Sequence, residues 1–291
     1  MSAAPSPLPP TRIGARLFEW GSRTYFMGIV NVTPDSFSGD GLLATVAGRG
    51  GAAVEAAVIQ ARRMVSEGAD ILDVGGESTR PGHEPVPAAE EAARVVPVIA
   101  AIHGELPDVP ISVDTTKAEV AAAAIAAGAT LLNDIWGVGG DAAMARLAGE
   151  RQVPLIVGHN RQAARYSDFV AELIADVQAA LDRAQKVGVP RQNLIVDPGF
   201  GFGKTPEQNL QALRHLAELR ALGHPVLLGT SRKSTLGRVL GGVPVEERLE
   251  ATLATTALGI AAGVDIVRVH DVLPNVRSAR MADAIVRRVA P

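Results

Sequence analysis

Asn31, Glu77, Asp114, Asn133, Asp134, His159, Asp197, Lys233 and His270 share one position: each ends, or closely follows, a short apolar run. Arg268 sits inside the last such run. Carboxylates and amides can pair with the N–H and C=O groups of a polar ligand, and Arg, Lys and His bind anions. Such a set grips and polarises a ligand. No grouping marks an activated nucleophile, and the chain contains no cysteine, which removes disulfides, thiolate metal sites and cysteine nucleophiles together. The six histidines show no paired ligand spacing, so no tight metal site built by the protein alone is expected. His83, His103, His215 and His224 read as surface residues, while His159 can either line a pocket or make a structural hydrogen bond. The plain alternative for Asp114 and Asp197 is helix capping after a strand, and for Lys233 and Arg268 a solvated cation. That second alternative weakens because both cations lie at the ends of otherwise apolar runs.

The runs themselves are Tyr25–Val30, Asp70–Val74, Pro110–Val113, Thr130–Leu132, Pro154–Val157, Asn193–Val196, Pro225–Gly229 and Asp265–Val269. Continuous Ile/Val/Leu runs of this length suit strands covered on both faces, as in a parallel sheet. Helix-compatible stretches separate them: Ala52–Glu67, Pro87–His103, Lys117–Ala127, Asp141–Gly149, Asp168–Val187, Pro206–Leu222, Glu246–Ala262 and Pro274–Val289. Thr205 is the expected N-cap of the sixth, with Pro206 at its first position and Gly223 beyond its end. Strict alternation predicts an α/β fold, a single (β/α)8 TIM barrel, in which strand carboxyl ends build one site. Long loops follow the first two strands, Thr33–Gly51 and Gly75–Pro87, both on that face. Residues 1–12 are expected to form a disordered tail and residues 13–291 the barrel, without a second core. With 291 residues and 47% hydrophobic content, the chain can bury a barrel core; its net charge of −3 gives no bulk reason to expect nucleic acid or a membrane surface. No segment reaches the ~20 apolar residues of a membrane span. Freedom from cysteine fits a reducing cytosol.

Seven motifs follow one another along this alternation: Met27–Ser38, Gly75–Gly82, Ser112–Thr115, Asn133–Ile135, Asp197–Lys204, Thr230–Ser234 and Arg268–Asp271. In this order, over about residues 25–288, they resemble those of the dihydropteroate synthases. The resemblance implies condensation of dihydropterin pyrophosphate with p-aminobenzoate to dihydropteroate and pyrophosphate, in a cytoplasmic homodimer. It implies pterin contacts from Asp114, Asn133, Asp197, Lys233 and Arg268. Pyrophosphate would meet Asn31, Thr79, Arg80, Arg268 and His270, with Asn31 the protein contact for Mg2+. The p-aminobenzoate would meet Phe37, Pro81, Phe200, Phe202, Lys233 and Ser234, and catalysis is assigned to Asp114, Lys233, Arg268 and Arg80. Ser231 also lies near the carboxylate's expected position, and sequence does not choose between it and Ser234.

These roles make physical sense. A carboxylate such as Asp197 can accept paired ring donors, and charge-assisted bonds of this kind contribute ~1.5–3 kcal/mol each. Asn133 both accepts and donates, as an alternating ring edge requires. Arg268 can stack its planar guanidinium on the ring. Carbon–oxygen cleavage at the pterin methylene leaves a delocalised cation that Asp114 can stabilise as it forms, and closure of the two long loops would exclude water. The glycines of Asp197–Lys204 match neither phosphate-loop pattern, and read as places of close backbone approach to a flat ring. Two features depart from the family. Gly158 stands before His159 where methionine is usual, so an open volume beside the ring is expected there, and the first loop is extended through Thr45–Gly51. A non-catalytic pterin- or anion-binding paralogue and a pterin-dependent methyltransferase remain as alternatives. The second of these does not call for Arg80 or Ser231-Arg232-Lys233.

Overall fold

The computed structural model describes residues 8–33, 50–77, 85–137 and 142–287. A two-stranded hairpin, β1 (Thr11–Ile13) and β2 (Arg16–Phe18), precedes eight parallel strands. These are β3 (Tyr25–Asn31), β4 (Ile71–Gly75), β5 (Ile111–Asp114), β6 (Leu131–Asp134), β7 (Leu155–Gly158), β8 (Leu194–Asp197), β9 (Leu227–Leu228) and β10 (Ile266–Val269). The sheet runs β8-β7-β6-β5-β4-β3-β10-β9, and a parallel bridge from Val196 to Val226 closes the ring. Between the strands lie α1 (Gly50–Ser66), α2 (Ala88–Glu105), α3 (Ala118–Ala126), α4 (Ala143–Arg151), α5 (Phe169–Lys186), α6 (Pro206–Arg214) and α7 (Leu216–Arg220). The set continues with α8 (Ser234–Val239), α9 (Leu249–Ala261) and α10 (Val272–Val286). The eightfold strand–helix alternation is as expected. The single helix expected over 206–222 breaks at His215 into α6 and α7, and α8 is an extra short helix after β9. Thr205 caps α6 in full: its hydroxyl accepts the Gln208 N–H while the Gln208 side chain accepts the Thr205 N–H.

Alternation along each strand sorts side chains into two shells. Val30, Val74, Val113, Leu132, Val157, Val196 and Val267 point outward and share one apolar cluster with helix residues such as Ala57, Val95, Val120 and Leu173. Tyr25, Met27, Ile71, Leu131, Ile156, Ile195, Leu227 and Ile266 point inward and fill the amino-terminal half of the barrel. The hairpin plugs that end. Ile13, Phe18 and Trp20 join the inner cluster, Phe18 and Tyr25 rings lie 4.7 Å apart, and Trp20 Nε1 donates to Thr11 Oγ1 at 2.9 Å.

Three expectations need correction here. Thr11 and Arg12 already belong to β1, so an unstructured tail running through residue 12 is too long; three-residue strands turning at Gly14 are too short to stand out by periodicity. His224 is only 1% exposed rather than at the surface, with Nδ1 3.2 Å from the Leu194 carbonyl. It sits between Gly223 and the start of β9, where the chain dives under the barrel. The first helix begins at Gly50, inside the loop expected to reach Gly51. Among the described residues, no helix is long and apolar enough to cross a membrane.

Candidate active site

The inward positions explain which residues meet. Two residues beyond each apolar interior residue, the same face of the strand reaches the carboxyl-terminal mouth. Ile71 thus leads to Asp73, Leu131 to Asn133, Ile195 to Asp197 and Ile266 to Arg268, while Ser112 leads to Asp114 and Ile29 to Asn31. Strand register puts Asp114 beside Asn133, and Asn31 beside Gly75.

At the centre is Arg268. Its Nε donates to Asp73 Oδ2 at 2.6 Å and an Nη donates to Asp114 Oδ2 at 2.7 Å. Asn133 Nδ2 donates to the same Asp73 oxygen at 3.2 Å. The remaining oxygens, Asp73 Oδ1, Asp114 Oδ1 and Asn133 Oδ1, are buried without a hydrogen-bond partner inside the protein. Buried acceptors of this kind carry a desolvation cost that a donor-rich ligand relieves. Burial pushes the Asp114 carboxyl up to about 7, against the pull of Arg268 and with a further push from Asp73. For Arg268, burial opposes the charge, but Asp73 and Asp114 together outweigh it and hold the guanidinium above its ordinary value. Asp73 escaped the sequence reading, although a lone carboxylate inside a fully buried strand was the available signal.

Asp197 faces the same mouth. Burial raises its carboxyl, with Lys233 acting in the opposite direction, and Oδ1 accepts the Gly199 N–H at 2.7 Å. This carboxylate therefore braces its own loop as well as facing the site, whereas Asp114 caps no helix: α3 has Lys117 at its N-cap with no side-chain cap bond. Lys233 Nζ donates to the Phe200 carbonyl and lies 4.2 Å over the Phe202 ring. Burial draws its ammonium down to about 8. Phe200 corrects an expectation. Its side chain is fully buried, so it offers the site a carbonyl and not a ring.

The turn after β9 is fixed by Arg232, a non-glycine residue at φ 57 whose guanidinium forms two bonds, 2.9 and 2.7 Å, to Asp271 beyond β10. This ties Lys233 to the neighbouring strand end. Ser231 Oγ accepts the His270 N–H at 3.2 Å and lies 2.9 Å from His270 Nδ1, so it orients the imidazole. Ser234, by contrast, is exposed at the start of α8. Asp134 points away from Asn133 and accepts the Trp136 N–H at 2.9 Å, which makes it a turn brace. Glu77 is likewise structural. Lys117 Nζ bridges it, at 2.5 Å, to the buried Glu91, at 2.6 Å, and Glu77 Oε1 accepts the Val86 N–H.

His159 is fully buried and does not reach the mouth; its ring lies between Asp176 and Lys204. The open volume expected at Gly158 is absent. A Cβ there would sit 2.7 Å from Ile135 Cα and 2.9 Å from the Asp134 carbonyl, because the chain leaving β6 folds across this point. Phe37, Thr79, Arg80, Pro81 and His83, with the centres of both long loops, lie outside the described residues.

The chain is similar to known proteins over most of its length. Residues 27–270 match the model of a family described as pterin binding enzyme. The chain is 50% identical over 278 residues to a dihydropteroate synthase of Clostridium beijerinckii, covering 95% of this chain and 100% of that one. It is 48% identical over 266 residues to the Bacillus subtilis dihydropteroate synthase, covering 91% and 90%. A solved structure of Xanthomonas albilineans dihydropteroate synthase with 4-aminobenzoic acid superposes with a TM-score of 0.87 at 39% identity, covering 98% of this chain and 100% of that one.

Proposed function

Because this chain belongs to the dihydropteroate synthase family, we propose that the mouth of its barrel binds and orients both substrates through the residues described above. Its activity is condensation of dihydropterin pyrophosphate with p-aminobenzoate, giving dihydropteroate and pyrophosphate. The observation that carries the site assignment is the set of buried, unpartnered acceptors on Asp73, Asp114 and Asn133 beside the Asp197 carboxylate. A pterin edge, rich in N–H donors, satisfies such acceptors, and Lys233 supplies a donor for the ring's carbonyl and nitrogen.

In this reading Arg268 lies against the pterin with its plane fixed by Asp73 and Asp114. Asp114 stabilises positive charge as the methylene–oxygen bond opens. His270, oriented by Ser231, and Arg268 face the departing pyrophosphate, assisted by Thr79 and Arg80. The p-aminobenzoate ring packs near Phe202, with Phe37 and Pro81 from the long loops, and its carboxylate meets Lys233 and Ser234. Ser234 is the better choice than Ser231, whose hydroxyl is already engaged with His270.

Mg2+ fits this donor set. Asn31 contributes an amide oxygen at the end of β3, and Mg2+ characteristically takes one or two protein oxygens with the rest from phosphates and water. When bound, it would shield the charge of the pyrophosphate. Chelation with EDTA is expected to abolish turnover while leaving binding of a pterin without phosphates unchanged. A cytoplasmic homodimer completes the reading: Met281 and Ile285 on α10 and Leu258 on α9 are 65%, 68% and 70% exposed, an apolar surface suited to a second copy.

The deciding experiment measures pyrophosphate release with dihydropterin pyrophosphate, with and without p-aminobenzoate, beside calorimetric titration of a pterin analogue. Release dependent on p-aminobenzoate is expected. Asp197→Ala and Asn133→Ala should each weaken pterin binding by about 1–3 kcal/mol with the barrel still folded. Pterin binding without any pyrophosphate release would instead establish a non-catalytic binder.

A further inference from the structure

Lys204 holds an unusual position beneath the site. Its Nζ lies 2.9 Å from His159 Nδ1 and donates to three carbonyls: His159 at 3.1 Å, Gly199 at 3.0 Å and Phe202 at 3.1 Å. An ammonium has three N–H groups, so four acceptors saturate it. Two of these carbonyls come from the two arms of the loop that follows β8. Its glycines, Gly199, Gly201 and Gly203, have φ of +66°, +87° and +54°, a left-handed path that turns carbonyls inward. The loop sits tight on the end of β7, since a Cβ on Gly199 would collide with the His159 carbonyl.

The partners of Lys204 are themselves fixed. His159 Nε2 lies 3.0 Å from Asp176 on α5, and Arg161 donates to that carboxylate and to Glu172. A carboxylate at Nε2 keeps the proton there and leaves Nδ1 as the acceptor facing Lys204. Tyr166 adds a bond from its hydroxyl to the Gly203 carbonyl at 2.8 Å. On its other side the same loop meets Lys233, through the Phe200 carbonyl and the Phe202 ring.

We infer that Lys204 is a positioning residue for Lys233: by gathering the Gly199 and Phe202 carbonyls it shapes the loop that holds the Lys233 ammonium over the site. The inference rests on the reading of Lys233 as a substrate contact. The charged groups facing Lys204 are Asp197, Lys233, Arg161 and Asp176, and those facing Lys233 are Asp197, Arg268 and Asp114. Burial draws Lys204 down to about 7 and Lys233 to about 8, consistent with two ammonium groups sharing one enclosed region around Asp197.

The test uses the full chain carrying Lys204→Met, which keeps an unbranched side chain as far as Cε and removes every donor. A pterin analogue is titrated by calorimetry from acid to alkaline pH, with Lys233→Ala as reference. In wild type, binding should weaken in two steps as pH rises, through about 7 as Lys204 loses its proton and through about 8 as Lys233 does; Lys233→Ala removes the limb near 8. In Lys204→Met, affinity at neutral pH should fall about tenfold. The alkaline limb should also move up by about one pH unit, because a loosened loop readmits water to Lys233. Unchanged affinity and limb would overturn the inference. So would weaker binding with the limb still near 8, which is what general loosening of the barrel produces. Should Lys204→Met not fold, Gly201→Ala decides: its Cβ would meet Lys233 Cδ at 2.9 Å from a left-handed backbone, breaking the loop's hold from the other side. The same weakening and shift support the path from loop to Lys233, and wild-type behaviour overturns it. If Lys233→Ala itself binds like wild type, the site assignment fails rather than this positioning role.

Discussion

Asp73 shows how one carboxylate can set a site without capping or catalysing anything. It fixes the Arg268 guanidinium at 2.6 Å, receives Asn133 at 3.2 Å, and adds negative charge beside Asp114. That third effect yields a measurable consequence. Limbs of kcat/KM report the free enzyme's groups, so the profile for the pterin substrate should rise as Asp114 ionises near 7 and fall as Lys233 deprotonates near 8. Asp73→Asn removes a charge that holds the Asp114 proton on, so the acid limb should move to lower pH. At its maximum, kcat/KM should nevertheless drop by roughly 10–100-fold, since Arg268 loses one of its two anchors. A limb that stays in place would show that Asp114 does not govern it.

At the scale of elements, the mouth is held by turns and caps more than by strands. The capping box of Thr205 starts α6 directly after the glycine loop, and the Arg232–Asp271 pair clamps the turns after β9 and β10 to each other. Gly158 is a tight junction of this kind, because any side chain there meets the backbone of Ile135. Gly158→Ala is therefore expected to cost about 1–3 kcal/mol in urea unfolding, from overpacking that neither neighbour can relieve by rotating a side chain. Gly158→Met should also lower the melting temperature and should not tighten pterin binding. Stability equal to wild type in both variants would mean that the strand ends separate more easily than this contact implies.

For the whole molecule, burial of neutral histidines predicts how stability depends on pH. Burial draws His224 down to about 4, with the nearby Arg191 acting in the same direction, and burial likewise lowers His159 to about 4, assisted by Lys204. Unfolded, both titrate near 6.5. Below that pH the unfolded chain takes up protons that the folded barrel refuses, so folding free energy is lost as pH falls from about 6.5 toward 4. Above 6.5 both are neutral in either state and contribute no slope. His224→Gln should flatten this acid limb in melting experiments, because the glutamine does not protonate. An unchanged slope would assign acid sensitivity to other groups.

The sequence by itself determined the barrel and most of its mouth. Eight apolar runs can be buried on both faces only in a covered parallel sheet, and a polar residue ending such a run can only emerge at the strand's carboxyl end. Asp114, Asn133, Asp197, Lys233, Arg268 and His270 were legible for that reason. Tertiary structure decided what spacing along the chain does not carry. Asp73 joins the site because inward positions of separate strands fall at the same height in the closed ring. Phe200 and His159 leave the pocket surface because the glycine loop folds over β7. Gly158 faces a neighbouring backbone and not open space, since the chain beyond β6 crosses it. Each of these depends on contacts between segments distant in sequence, and such contacts are set by how strands close and loops pack rather than by any local preference of the residues involved.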